Sequence, residues 1–285
     1  MSSNYGPKAV PKLSHDIKQD SQGSKCLIPM GITNENVSKN FQISRQKQDN
    51  FAALSYQKAE RAVKQNLFKD EILPIEITQN QEEEDDDDED DDEKGEGTSN
   101  GKHEVKKILV SKDEGPRPNV TSESLSKLKS SFNGTTHAGN ASQISDGASL
   151  CLLCTRKMAN ELNLPILGKY VATSVVGVPP EIMGVGPAYA IPSLLKKIGL
   201  CKNDITFFEI NEAFAGQCIY CIEKLGLDLN KVNPRGGAIA LGHPLGCTGA
   251  RQVATLMREL KEGEFGVVSM CIGTGMGAAS LFIKE

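Results

Sequence analysis

No run of eighteen apolar residues occurs in this 285-residue chain, so the sequence predicts no membrane-spanning helix. Met1 to Lys18 is polar and mixed in charge, without the apolar core of a secretory signal, and no signal peptide is expected. No nucleic-acid-binding motif can be recognised. Histidine is scarce, at four residues, so each can be weighed separately. What is present is 38% hydrophobic residues, enough for a core in one large domain or two ordinary ones.

The net charge of −5 has a single origin. Glu82 to Glu93 is an unbroken acidic run of twelve, without which 25 acidic and 32 basic side chains leave +7. A mildly basic body suits an anionic ligand but suits nucleic acid as well, and does not choose between them. Residues 79–104 around the run cannot bury apolar surface and repel themselves. They read as a disordered surface insertion, a tolerated loop expansion in preference to an acidic lure for basic partners.

Eight cysteines without a secretory signal point to reduced thiols in an intracellular compartment. Cys151/Cys154 and Cys218/Cys221 have C-x-x-C spacing, yet both pairs lie in apolar, helix-like runs without the turns that structural zinc sites use. Phe214, Cys218, Cys221, Ile222 and Leu225 fall on one helical stripe. That pair is read as core, and no metal site is expected.

Residues 1–31 are rich in Lys, Ser, Gly and Pro and read as irregular. Ser44 to Asn66 has helical spacing with Ser44 as N-cap. Leu73–Thr78 and Val105–Val110 read as strands, Thr121 and Glu123 open a short helix, and Ser145–Met158 is an apolar helix-to-strand segment. From Leu167 the pattern is α/β: strand Tyr170–Val176, helix Gly186–Ile198, strand Ile205–Ile210, a helix from Glu212, a glycine-rich loop with its helix, and closing strands Phe265–Met270 and Ala278–Ile283. A mixed sheet with helices on both faces is expected.

That glycine-rich loop, residues 233–249 (NPRGGAIALGHPLGCTG), holds His243 between Gly242 and Pro244. A tight, preset turn around an imidazole suits proton transfer at neutral pH. Val253, Leu256, Met257 and Leu260 share one face of the helix that follows, so a buried helix anchors the loop. Asn211 follows directly on strand Ile205–Ile210, and Cys271 on strand Phe265–Met270. In an α/β sheet the carboxyl ends of strands face one edge, where ligands bind, so the three residues can converge. Read singly, His243 is a turn residue, Cys271 core and Asn211 a helix cap.

In this order the three segments resemble the motifs of the thiolase family: Asn211-Glu212-Ala213-Phe214 its NEAF motif, the loop around His243 its histidine motif, and Cys271 to Gly277 its cysteine–glycine motif. Met30 to Val37 and Gly134 to Ser142 resemble two further stretches, and the likeness is greatest to the peroxisomal fungal 3-ketoacyl-CoA thiolases. The resemblance implies a thiolase-like α/β fold, with residues 1–163 belonging to the N-terminal domain and its loop domain and 164–285 forming the C-terminal domain. It also implies an acyltransferase of fatty-acid beta-oxidation that cleaves 3-ketoacyl-CoA with CoA as substrate, needs no cofactor, is a homodimer and works in the peroxisome. His243 is then the base that activates a thiol and can also donate to an oxyanion, Cys271 as a thiolate exchanges the alpha or thiol proton, Asn211 orients water in an oxyanion hole with the Gly273 N–H as second donor, and Ser142 lies near the pantetheine arm of CoA. His137 stands where the family usually has threonine or a similar residue, and is read as structural or variable and not catalytic.

One element of the family pattern is not found. The acyl-accepting cysteine belongs to a Cys-Ser-Ser-like motif upstream of the Met30 stretch, and none of the eight cysteines here has that context. The expectation is of an N-terminally shortened thiolase, represented without its nucleophile and with little turnover by itself; the alternative is a non-catalytic CoA-binding or subunit-interacting relative.

Overall fold

The structure, a computed structural model, describes residues 13–80 and 105–285. Most of the expected insertion at 79–104 lies outside them. The first described stretch is helical where irregular structure is expected: α1 (His15–Gln19), a 3-10 turn at Gly23–Leu27 and α2 (Met30–Asn40). Its small polar residues act as caps and turns. Ser14 accepts the Ile17 amide at 3.2 Å, and Asp20 accepts the Gln22 and Gly23 amides at 2.9 and 2.5 Å. The next helix, α3 (Arg45–Lys64), starts as predicted with Ser44 accepting from the Lys47 amide.

The described residues of Lys69–Asp113 form a compact unit of their own. In it β1 (Ile75–Asn80) and β2 (Val105–Val110) pair antiparallel, Ile75 opposite Val110. The other described residues, up to Phe68 and from Glu114 to Glu285, form a second unit. There α4 (Ser122–Ser126) begins on a capping box between Thr121 and Ser124.

Ser145–Met158 departs from expectation. Residues 142–155 have no regular structure, and Ile144, Leu150, Leu152 and Leu153 are 96, 89, 74 and 73% exposed. Only at Thr155, an N-cap, does α5 (Arg156–Glu161) begin. The apolar pattern marks a segment able to form a strand, but a strand exists only where a neighbour pairs its amides. Among the described residues nothing does so here, and Cys151 and Cys154 therefore lie in irregular chain and not in a helix.

The remaining elements are β3 (Gly168–Gly177), α6 (Gly186–Ile198), β4 (Ile205–Ile210), α7 (Ala215–Leu225), α8 (Ala238–Leu241), α9 (Thr248–Glu259), β5 (Phe265–Ile272) and β6 (Met276–Lys284). The sheet has the order β3-β6-β5-β4, with β4 and β5 parallel and the other pairs antiparallel. Side chains alternate across it. Val267 and Leu281 pack with Ile191, Leu194, Cys218 and Ile222 of α6 and α7. Val268 and Phe282, one residue on, pack with Leu256, Met257 and Leu260 on the other face. Helices thus cover both faces, as expected, and the α9 stripe is core.

Two boundaries differ. Helix α7 starts at Ala215 instead of Glu212, because the intervening residues are held extended: Ala141 bridges Phe214, and the Ala215 amide donates to Asn140 O at 2.9 Å. Strand β5 runs to Ile272, so Cys271 lies within it and not beyond its end. No helix of the described residues is long and apolar enough to cross a membrane.

Candidate active site

Because β4 and β5 are parallel, they deliver their last residues to the same sheet edge. Ile210 stands opposite Ser269, and the Asn211 amide donates to Ser269 O at 2.9 Å. Asn211 thus leaves the sheet beside the strand that carries Cys271. Its own carbonyl accepts from Gln217 Nε2 at 2.9 Å, which ties the turn to α7. The Asn211 side chain is buried, with Nδ2 3.2 Å from His243 Nε2. Its Oδ1 is also buried and has no partner among the described residues, so the amide keeps an acceptor for a donor brought by a ligand.

His243 reaches this position through a turn that only a few residues permit. Gly242, at φ +90°, ends α8, a backbone angle that a side chain would strain. The His243 amide donates to Gln143 O at 3.2 Å. On the ring, Nδ1 is 2.6 Å from Thr248 Oγ1, and the Thr248 hydroxyl gives its single proton to Pro244 O at 3.1 Å. The hydroxyl therefore accepts from the imidazole, which puts the ring hydrogen on Nδ1 and leaves the Nε2 lone pair facing Asn211. Burial, with Arg251 nearby, lowers the His243 pKa from its ordinary value. The ring is accordingly neutral at pH 7 and able to act as a base.

Cys271 is half-buried by surface, and burial pushes its thiol up to about 11. At neutral pH it is a proton carrier and not a thiolate. Gly273 opens the turn between β5 and β6, in which Thr274 and Gly275 have positive φ. Ser142 donates its amide to Ala213 O at 2.9 Å, beside Asn211 and Glu212, and its hydroxyl has no hydrogen-bond partner among the described residues.

Three features escaped the sequence reading. The irregular stretch 140–143 is a staple: Asn140 and Ser142 hold the turn after β4, and Gln143 holds the histidine loop. Thr248 sets the imidazole tautomer; its signal was its place in the first turn of α9, one helical turn from the histidine. Glu212 is buried and accepts hydrogen bonds from two other elements. Other readings stand. His137 is buried in a structural bond with Asp49, and Cys218 and Cys221 are fully buried in the core.

With this geometry in view, the comparisons are specific. A family model described as "Thiolase, N-terminal domain" matches residues 1–157, and one described as "Thiolase, C-terminal domain" matches residues 164–284. The chain is 59% identical over 275 residues to the peroxisomal 3-ketoacyl-CoA thiolase of Saccharomyces cerevisiae, covering 95% of this chain and 60% of that protein. The solved structure of the dimeric peroxisomal thiolase of the same yeast is similar over 100% of this chain and 66% of its own, with a TM-score of 0.83 and 57% identity. Human mitochondrial 3-ketoacyl-CoA thiolase in complex with CoA gives a TM-score of 0.75 at 37% identity, over 90% of this chain and 59% of its own. The chain thus spans roughly three fifths to two thirds of the length of these relatives.

Proposed function

This chain belongs to the thiolase family, and from that premise we propose that it performs the proton transfers of 3-ketoacyl-CoA thiolysis, in which CoA cleaves a 3-ketoacyl-CoA to acetyl-CoA and a shortened acyl-CoA. The observation that carries the reading is the Asn211–His243 pair, with the Nε2 lone pair presented at a sheet edge and Nδ1 held by Thr248. His243 takes the proton of the attacking CoA thiol at Nε2. When the bond between the alpha and beta carbons breaks, the acetyl-CoA enolate needs a proton at carbon, Cys271 gives it, and the proton that His243 took from CoA restores the thiol. A thiol held near 11 by burial is protonated and ready for that step. Asn211 orients a water through its free Oδ1, that water and the Gly273 N–H donate to the thioester oxyanion, and Ser142 lies along the pantetheine arm.

The acyl-accepting thiol is not among these residues. Among the described residues, the bonds of His243 go to Gln143, Thr248 and Asn211 and not to a cysteine. The reading further takes residues 164–285 as the C-terminal domain and 1–163 as part of the N-terminal one, supported by the two family matches. A peroxisomal setting in fatty-acid beta-oxidation and a homodimeric state are supported by the names of the relatives.

A test that needs no acyl-enzyme is deuterium exchange at the alpha carbon of acetyl-CoA, followed by NMR in D2O. The expected result is exchange well above the buffer rate that rises with pH as the Cys271 thiolate forms and disappears in Cys271→Ala. Exchange at the buffer rate with folded protein and saturating acetyl-CoA would sink the proposal.

A further inference from the structure

Glu212, next to Asn211 in sequence, is 2% exposed and takes no part in the proton transfers above. Its carboxylate gathers donors from three places. Ser55 of α3 donates its hydroxyl to Oε2 at 2.6 Å, Asn233 donates Nδ2 to Oε1 at 2.7 Å, and the Ile239 amide approaches Oε2 at 3.4 Å.

Each donor bears on the path to His243. Asn233, which opens the histidine loop, is clasped to the end of β4 by accepting the Ile210 amide at 2.8 Å and donating to Ile210 O at 2.8 Å. Ser55, having given its proton to Glu212, accepts the Gly237 amide at 3.1 Å. Ile239 lies in the first turn of α8, whose N-cap residue, Gly237, has no side chain to cap it. The carboxylate of Glu212 does that work from outside the helix. A Cβ on Gly237 would lie 2.2 Å from the carboxyl carbon, so the loop is shaped to let this group in. Helix α8 then ends at Gly242 and passes directly to His243.

We propose that Glu212 is a positioning residue, whose buried carboxylate fixes the loop from Asn233 through α8 so that His243 meets Asn211 in the correct orientation. The connections form a closed ring. Asn211 and Glu212 are joined by a peptide bond, Glu212 anchors α8, α8 carries His243, and His243 returns to Asn211. Loosening the anchor leaves the chemistry-bearing side chains intact and spoils their registry.

The proposal deepens the reading of His243 as the base, and its test does not depend on turnover. The imidazole signals of His243 are followed by NMR against pH in the wild-type chain and in Glu212→Gln and Ser55→Ala, with His137, bonded to Asp49, as internal control. The expected result is that His243 in Glu212→Gln loses its single Nδ1–H tautomer and shifts its titration by roughly half a pH unit or more, while His137 is unchanged. Ser55→Ala shows the same change to a smaller degree. An unaltered His243 in folded Glu212→Gln overturns the proposal. If Glu212→Gln does not fold, Ser55→Ala decides: an unaltered His243 there, with a lowered melting temperature, makes Glu212 a stabilising residue only. A failure of the acetyl-CoA exchange experiment with these NMR changes present would count against the proposed reaction and not against the positioning role.

Discussion

His137 donates its Nε2–H to Asp49 Oδ1 across 2.7 Å, while its Nδ1 accepts the Gly139 amide at 3.0 Å. Both side chains are out of solvent, and Asp49 also holds Arg45 at 2.7 Å and accepts from Asn140 at 3.1 Å. The ring is therefore built into the fold as the neutral tautomer. A proton added at Nδ1 would face an N–H.

A pH dependence of stability follows from its sign. Burial lowers the folded pKa of His137 against the opposing pull of Asp49. The unfolded chain, with an ordinary value of about 6.5, then binds more protons than the folded one as pH falls below that value, and stability is lost from there downward to the folded pKa. His243 is lowered in the same direction. Urea denaturation midpoints between pH 7.5 and 5 should fall, and His137→Thr should make the fall shallower without removing it.

Thr248 has no role in the reaction except through the ring it orients. Thr248→Val keeps the shape of the α9 turn and removes the acceptor for Nδ1–H at 2.6 Å. A buried donor left unpaired costs about 1–3 kcal/mol, and the ring can escape that cost by turning. The imidazole should show mixed tautomers by NMR. Asn211→Ala, which removes the side chain that orients the oxyanion-hole water, should lower alpha-proton exchange of acetyl-CoA on the order of 100-fold.

Cys271 should resist alkylation at neutral pH. Its thiol is pushed up to about 11 by burial, and the thiolate is the reactive form. Iodoacetamide labelling mapped by mass spectrometry should mark the exposed Cys154 and Cys201 first at pH 7.5. The Cys271 rate should still be rising at pH 10. A plateau near pH 8 would contradict the burial argument.

The stretch from Ile144 to Leu153 leaves large apolar side chains in solvent without pairing partners. Contiguous apolar surface of this kind drives association. The 285-residue chain by itself should bind a hydrophobic dye and aggregate with rising concentration. Replacing Leu150, Leu152 and Leu153 by serine should reduce both, as read by light scattering, and a monodisperse wild-type monomer that ignores the dye would overturn this.

The elements read well where local chemistry decides them. Ser44 caps α3, β2 spans Val105–Val110, and α6 spans Gly186–Ile198 as expected, because a cap, a run of β-branched and aliphatic residues and a helical stripe are all local signals. Ser145–Met158 failed for a physical reason: its pattern was apolar, but strand formation needs a partner that a pattern does not name. The polar start failed in reverse, since short helices there rest on Ser14 and Asp20 as caps and not on an apolar face.

At the site, the residue types were legible and the arrangement was not. His243, Asn211 and Cys271 stood out through their motif context, but nothing in the chain order shows that Gln143 holds the histidine loop or that Glu212 caps α8 from outside. Those contacts join residues roughly 100 and 27 positions apart. The sequence by itself determined which side chains can move protons and which helices and strands carry them, because backbone preference and side-chain chemistry act over a few residues. Only the tertiary structure decided that two parallel strands deliver Asn211 and Cys271 to one edge, and that the imidazole presents Nε2 to that edge with Nδ1 tied down. Tautomer, pKa and alignment depend on burial and on partners brought from distant parts of the chain, and these exist only once it has folded.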